Sequence, residues 1–517
     1  MKKAKQHIVT PVFAAALCVM AAILAAALIT PAGFSTAANQ VKGFLSRNFS
    51  WYYILLASGI VLVSTYLMLS PAGRITLGQP GEKPEYSTAS WVAMLFSAGM
   101  GIGLVFYGAA LPLTYYAKES PMAKPGTEEA LSQAFQWTYY QQGMHAWAIY
   151  GIVALALAYF QFRKKDNALI SSTLRPLLGQ KVDGGIGRVI DVFTIIATVT
   201  GVATTLGFGA AQINSGLNSV FGVREKLSTQ FIIIAVCTVA FLISATTGLQ
   251  KGVKVLSNGN MFLAFALLIL AFLVGPKAKI LNTLVESTGN YIFKFTQMSF
   301  FTGASSTHAN QWVQNWTFFY WAWWIAWAPF VGIFIARISR GRTIREFTFN
   351  VIFLPTIISI LWYGVFGTLS TSAAQSHPSL IALRDEQVLF ATFSHYPLAR
   401  TLSVIAIVLI FSFFITSADS ASFVLAMQSE NGRLEPHNRI KVVWGVTLAL
   451  IAAVLLYAGG LQALQDVMIT LSFPFSVIMI LMVISLAKDI HRERIRLGLY
   501  LIPPVDADRK VKAEKKE

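Results

Sequence analysis

The sequence predicts an all-α polytopic membrane protein, and three observations carry that prediction. Hydrophobic residues make up 55% of the 517 and charged residues only 12%, a balance that a water-soluble globule cannot hide in one core. Mean hydropathy is +0.60. The apolar residues also gather in runs long enough to cross about 30 Å of hydrocarbon. They lie near 8–29, 51–70, 89–110, 146–162, 187–217, 230–248, 256–275, 316–336, 348–370, 401–427, 440–459 and 468–487. That makes roughly twelve transmembrane crossings.

The first run follows Lys2, Lys3 and Lys5 and precedes small residues such as Ala37 and Ala38, features shared with a cleaved signal peptide. It is long enough to span, so a retained helix is the expectation. The third run carries Gly99, Gly101, Gly103 and Gly108. So little side chain invites the backbone to open, and freed carbonyls and N–H groups inside a membrane must be satisfied by protein, water, ion or substrate. In the fourth, Trp147 and Tyr150 are i, i+3 neighbours on one face. Asp191 in the fifth and Asp419 in the tenth are acids at membrane depth, either functional or bracing helices. Cys18 and Cys237 fall within predicted spans and act as small apolar residues.

The eighth run reads Trp316-Thr-Phe-Phe-Tyr-Trp-Ala-Trp-Trp-Ile-Ala-Trp-Ala-Pro-Phe330. Trp316 fits a headgroup belt. Trp323, Trp324 and Trp327 lie one to two turns deeper, and Tyr320, Trp324 and Trp327 follow i, i+4, i+7 spacing. Such a face is either core packing or a cage, since ring faces attract a diffuse cation such as a quaternary ammonium by roughly 0.5–2 kcal/mol each without any carboxylate.

A net charge of +17 raises the question of nucleic acid, but the basic residues collect in alternate loops. Arg163, Lys164, Lys165, Arg175 and Lys181 follow the fourth run, Arg337, Arg340, Arg342 and Arg345 the eighth, and Arg492, Arg494 and Arg496 open a basic tail. With an even number of crossings these share one side, which puts both termini in the cytoplasm and excludes nucleic acid as a partner. Membrane lipid remains a secondary partner for the tail. The seven histidines show no metal-ligand spacing, and no nucleophile elbow, phosphate loop or zinc signature occurs, so an enzyme is not expected.

The glycine stretch, His145-Ala-Trp-Ala-Ile-Tyr150, the tryptophan run, Ala336-Arg-Ile-Ser-Arg-Gly-Arg-Thr-Ile-Arg-Glu-Phe347 and Phe413-Phe-Ile-Thr-Ser-Ala-Asp-Ser-Ala-Ser422 together resemble the betaine/choline/carnitine transporter family from about residue 45 to about 490. The resemblance implies two N-terminal helices followed by two inverted five-helix repeats. The expected segments are 1–85 with the additional helices, 86–275 as first repeat, 276–309 as an extracytoplasmic connection with an amphipathic helix, 310–487 as second repeat, and 488–517 as a short basic cytoplasmic tail. It implies a homotrimer in a bacterial-type inner (plasma) membrane. Its substrate site would use Met100, Gln142, Trp147, Tyr150, Trp323, Trp324 and Trp327. A sodium ion would sit among Ser97, Met100, Phe413, Thr416 and Ser417, and a second at Thr198 and Phe330. Against the ion stands the tendency of Thr416 and Ser417 to bond back to their own helix.

The chain departs from the family pattern at four places. Gln142 stands where the first tryptophan of the box belongs, Leu111 where a glutamate often precedes the proline, Val202 where a threonine completes the second sodium site, and Gly103 where choline carriers place an aspartate. The functional expectation is a secondary transporter importing a zwitterionic, methylated ammonium solute by alternating access, with Na+ as coupling ion and no other cofactor. A sodium-independent exchanger of the same fold and a solute-binding membrane osmosensor are the alternatives.

Overall fold

The computed structural model describes residues 9–99, 101–247 and 250–500, without the side chains of 96–99, 247 and 250–255. Among the described residues the regular elements are helical, joined by an isolated antiparallel bridge between Thr76 and Thr343. Helix α1 (Pro11–Ile29) starts where the Thr10 hydroxyl accepts the N–H of Phe13 and Pro11 needs no partner for a missing donor. Helix α2 (Pro31–Leu69) begins twenty residues before its predicted span. Lys42 and several amides lower the hydropathy there, and the helix persists because they find partners: Asn39 donates to Asp466 at 3.0 Å, with Lys42 at 3.8 Å.

The third crossing is two pieces, α3 (Thr88–Gly99) and α4 (Ile102–Ala117), parted at 100–101 with Gly101 extended at φ −149° and ψ −176°. The glycine-rich stretch does open. A second interruption was not expected: α5 (Glu128–Gln142) and α6 (Met144–Ala158) meet at Gly143, with φ −105° and ψ −130°. Low hydropathy concealed α5, whose Gln133, Gln136, Gln141 and Gln142 are buried against protein rather than lipid.

After the short α7 (Arg175–Leu178) come α8 (Gly185–Phe221), α9 (Leu227–Thr247) and α10 (Gln250–Val274). Helices α11 (Lys277–Phe293), α12 (Phe295–Ser299) and α13 (Thr307–Trp312) lead through a π-turn into α14 (Phe318–Ile338). Helix α11 leaves Val285 and Phe293 exposed while burying Ile280 and Tyr291. Then follow α15 (Ile344–Ser376), α16 (Asp385–Phe393), α17 (Ala399–Ser429) and α18 (Asn438–Arg496), the last broken at Gly459 and Gly460, where φ reaches +67°. Among the described residues ten helices are long and apolar enough to cross a membrane, with broken α18 taken as one and Ile102–Ala117 falling short in length. Their burial sorts them into layers: the most apolar stretch of α13–α14 is 89% buried, that of α9 or α10 only 22%, with Ile232, Val236, Phe262 and Ile269 turned outward.

Hydrogen bonds bring the basic loops to one face. Arg163 pairs with Glu493 at 2.7 Å and donates to the Gly78 carbonyl. Leu77 N–H donates to the Arg342 carbonyl, Arg345 reaches the Met68 carbonyl, and Lys488 reaches that of Pro176. Gly432 packs beside Leu169, and the Thr10 hydroxyl donates to the Ser429 carbonyl. Both ends of the described chain therefore share that face. On the loop surface Arg175 pairs with Asp166 and Asp183 and holds the Asp183 carboxyl below its ordinary range.

Glycine in α4 also makes room for a neighbour. A Cβ at Gly108 would stand 2.6 Å from Nε1 of Trp362, which donates to the Leu104 carbonyl at 2.9 Å. Gly108→Val is expected to displace that indole and cost about 1–3 kcal/mol of stability. Thermal unfolding in detergent checks this; an unchanged midpoint would show that the indole swings aside freely.

Candidate solute-binding site

The eighth crossing supplies the wall of rings. Trp323 and Trp324 lie parallel, 5.9 Å apart and 7° between planes, and Tyr320 stacks against both at 6.2 and 6.4 Å. Tyr150 meets Trp324 edge-on at 5.5 Å, and Trp147 meets Tyr150 edge-on at 5.7 Å. Two indole N–H groups fix the orientation: Trp324 donates to the Gln141 carbonyl and Trp327 to the Gly201 carbonyl, each at 2.9 Å. Backbone without side chains lets the rings approach. A Cβ at Gly103 would sit 3.1 Å from the Trp323 ring, and one at Gly201 3.0 Å from Trp327.

Between this wall and the opened third crossing lies a hollow, bounded by Gly101 to Leu104 of α4, Gln142, Trp147, Tyr150, Trp323, Trp324, Trp327 and Phe330. Its volume, as space open to a water's centre, is about 140 Å³, against the roughly 10–15 Å³ that one water needs. The indoles are thus not jammed against neighbouring side chains. Tyr107 and Phe208 close ring against Trp323 at 5.8 and 5.3 Å on one side. On another, Thr416, Ser417 and Ser420 of α17 and Ser257 of α10 contribute hydroxyls.

No acidic or basic side chain is among the described lining residues. A net cationic ligand would meet ring faces and neutral polar groups but no carboxylate among the described lining residues. A zwitterion finds both charges answered, because the first turn of α4 begins at Gly101 with no side-chain cap, leaving uncapped N–H groups and the positive end of the helix dipole for an anion. Asp191 and Asp419 stand apart and brace: Asp191 accepts from Ser171 N–H and Oγ, Asp419 from Ser244 Oγ.

Of the residues expected at the substrate site, Gln142, Trp147, Tyr150, Trp323, Trp324 and Trp327 all line the hollow; Met100 lies outside the described residues. Of the ion-site residues, Thr416, Ser417 and Phe330 line it, Phe413 and Thr198 do not, and the Ser97 side chain is outside the description. Thr416 Oγ1 donates within its helix, 3.1 Å from the Ser412 carbonyl and 3.3 Å from that of Phe413, and accepts from Asn260 Nδ2 at 3.3 Å. Thr198 likewise donates to the Thr194 carbonyl at 2.8 Å. Sequence reasoning missed Thr205, Ser257, Ser359 and Ser420 in the lining. Ser420 was within reach, being one turn from Thr416 and Ser417; Ser257 sits in a stretch with no distinguishing pattern.

Residues 11–495 match the betaine/carnitine/choline family transporter model. The chain is 48% identical over 487 residues to the glycine betaine transporter OpuD of Bacillus subtilis (strain 168), covering 94% of this chain and 95% of the relative. It is 39% identical to the ectoine/hydroxyectoine transporter of Virgibacillus pantothenticus, over 94% of this chain and 98% of that one. Among solved structures, a Na+-coupled sialic acid symporter in a substrate-bound outward-open state aligns at a TM-score of 0.49 and 14% identity, covering 84% of this chain and 87% of the other. With a match that takes in both the opened helix and the tryptophan-rich helix, the chain belongs to the betaine/carnitine/choline transporter family, and its work is transport rather than catalysis.

Proposed function

We propose that this carrier imports a zwitterionic ammonium solute of the betaine type by alternating access, with sodium as the coupling ion. The observation that supports it most directly is the uncharged, ring-walled hollow set at the opened α3–α4 crossing. Ring faces take the ammonium group, uncapped N–H groups of α4 take the carboxylate, and neither end needs a buried ion. The relatives named for glycine betaine and for ectoine agree with a small zwitterion.

The basic face is read as cytoplasmic, with both termini there and the protein in the plasma membrane. Counting α3–α4 as one crossing and α18 as two brings the ten apolar helices to twelve, in keeping with paired repeats at 86–275 and 310–487 after two additional helices. Homotrimeric assembly belongs to the same proposal.

The sodium step has a specific competitor. Thr416 already bonds to its own helix and to Asn260, Thr198 bonds to its own helix, and the Val202 side chain offers no oxygen, which favours exchange without an ion. Uptake into proteoliposomes decides between them. An inward sodium gradient should raise the initial rate at least about tenfold; equal uptake with and without it overturns sodium coupling in favour of an exchanger. Membership of a transporter family sets aside the osmosensor.

A further inference from the structure

Gln142 ends α5 at the Gly143 interruption, is only 5% exposed and lines the hollow beside Trp147, Tyr150 and Trp324. Among the described residues its side chain has no hydrogen-bond partner, and Nε2 is buried without an acceptor. The adjacent Gln141 is the contrast: its carboxamide accepts from Tyr115 and donates to Thr317, and its carbonyl accepts from Trp324. Oε1 has no donor and, unlike Nε2, is not closed off from open space, so the ligand-sized hollow presents an unused acceptor to an occupant.

We infer that Gln142 gives this site affinity for zwitterions whose cationic nitrogen keeps at least one N–H bond, the amide oxygen accepting that N–H. The inference rests on the hollow being the solute site proposed above. An amide has an acceptor at one end and two donors at the other, and its terminal torsion is broadly two-fold, so either end can turn to the occupant. Beside a cation held by three rings the choice is electrostatic: the carbonyl end is attracted and the N–H end repelled. A fourth ring would embrace methyl groups but accept nothing. Glutamine does the reverse, leaving Trp147, Tyr150 and Trp324 to the methyl groups and answering the remaining N–H.

Glycine betaine and dimethylglycine differ by one methyl group in place of that N–H, and calorimetric titration of the full-length protein with each makes the test. Gln142→Met, which keeps the length and removes the amide, should weaken dimethylglycine at least about tenfold more than glycine betaine. Gln142→Trp should move the ratio further in the same direction. If glycine betaine binds but both variants change the two affinities by the same factor, the inference is overturned while the site stands. If only a hydroxylated zwitterion such as carnitine responds, the amide donates rather than accepts, and the inference is again overturned. If neither solute binds the unaltered protein, the site proposal falls and takes the inference with it.

Discussion

Trp324→Ala is expected to weaken solute binding by roughly a hundredfold. One well-placed ring face is worth about 0.5–2 kcal/mol to a bound ammonium. Removing this indole also strips the Gln141 carbonyl, at the end of α5, of the N–H it accepts at 2.9 Å, and an orphaned buried acceptor costs about 1–3 kcal/mol. Trp323 and Tyr150 lose the ring that each packs against at 5.9 and 5.5 Å, which loosens the wall that remains. Trp324→Phe divides the effect, keeping a ring face while losing the N–H, and should fall between the two. Calorimetric titration with glycine betaine, after gel filtration to confirm the fold, reads the result. An alanine variant that binds within twofold of the unaltered protein would mean the indole only packs.

The second large effect is expected at the serine and threonine of α17. Thr416→Val together with Ser417→Ala keeps the shape of the helix and removes two hydroxyls that line the hollow. Sodium prefers hard oxygen ligands, so the concentration giving half-maximal uptake should rise at least about tenfold, with solute affinity measured at saturating sodium changing much less. The present bonds of Thr416, outward to the Ser412 and Phe413 carbonyls and inward from Asn260, define the contrary result. If those hydroxyls serve only to brace the helix, the sodium curve stays where it is and the loss appears in thermal stability.

Much of this protein was legible in its sequence because lipid restricts what a chain can do. Without water to satisfy backbone groups, an apolar run of about twenty residues is a helix, and glycine crowding at 99–108 marked where one would part. Helical spacing put the rings of the eighth crossing on one face but left packing and a cage equally open, and only the family resemblance pointed to a cage. Two features were not. The first twenty residues of α2 and all of α5 are too polar to read as spans, and they exist because side chains elsewhere in the chain, Asp466 for α2 and Tyr115 for α5, answer their amides. Such answers depend on tertiary pairing, across 427 positions for Asn39 and 26 for Gln141, which no local pattern records. The carbonyls that receive the Trp324 and Trp327 N–H groups were unreadable for the same reason.

The absence of fixed charge among the described residues around the hollow bears on salt dependence. Attraction between ions in contact with solvent fades over a Debye length of about 8 Å at physiological ionic strength and about 3 Å at 1 M. Ring faces and helix-end N–H groups inside the protein act at contact distance and have no exposed partner charge to be masked. At a fixed sodium concentration, other electrolyte that would weaken a carrier built on surface ion pairs should leave this one's grip on its cargo nearly unchanged.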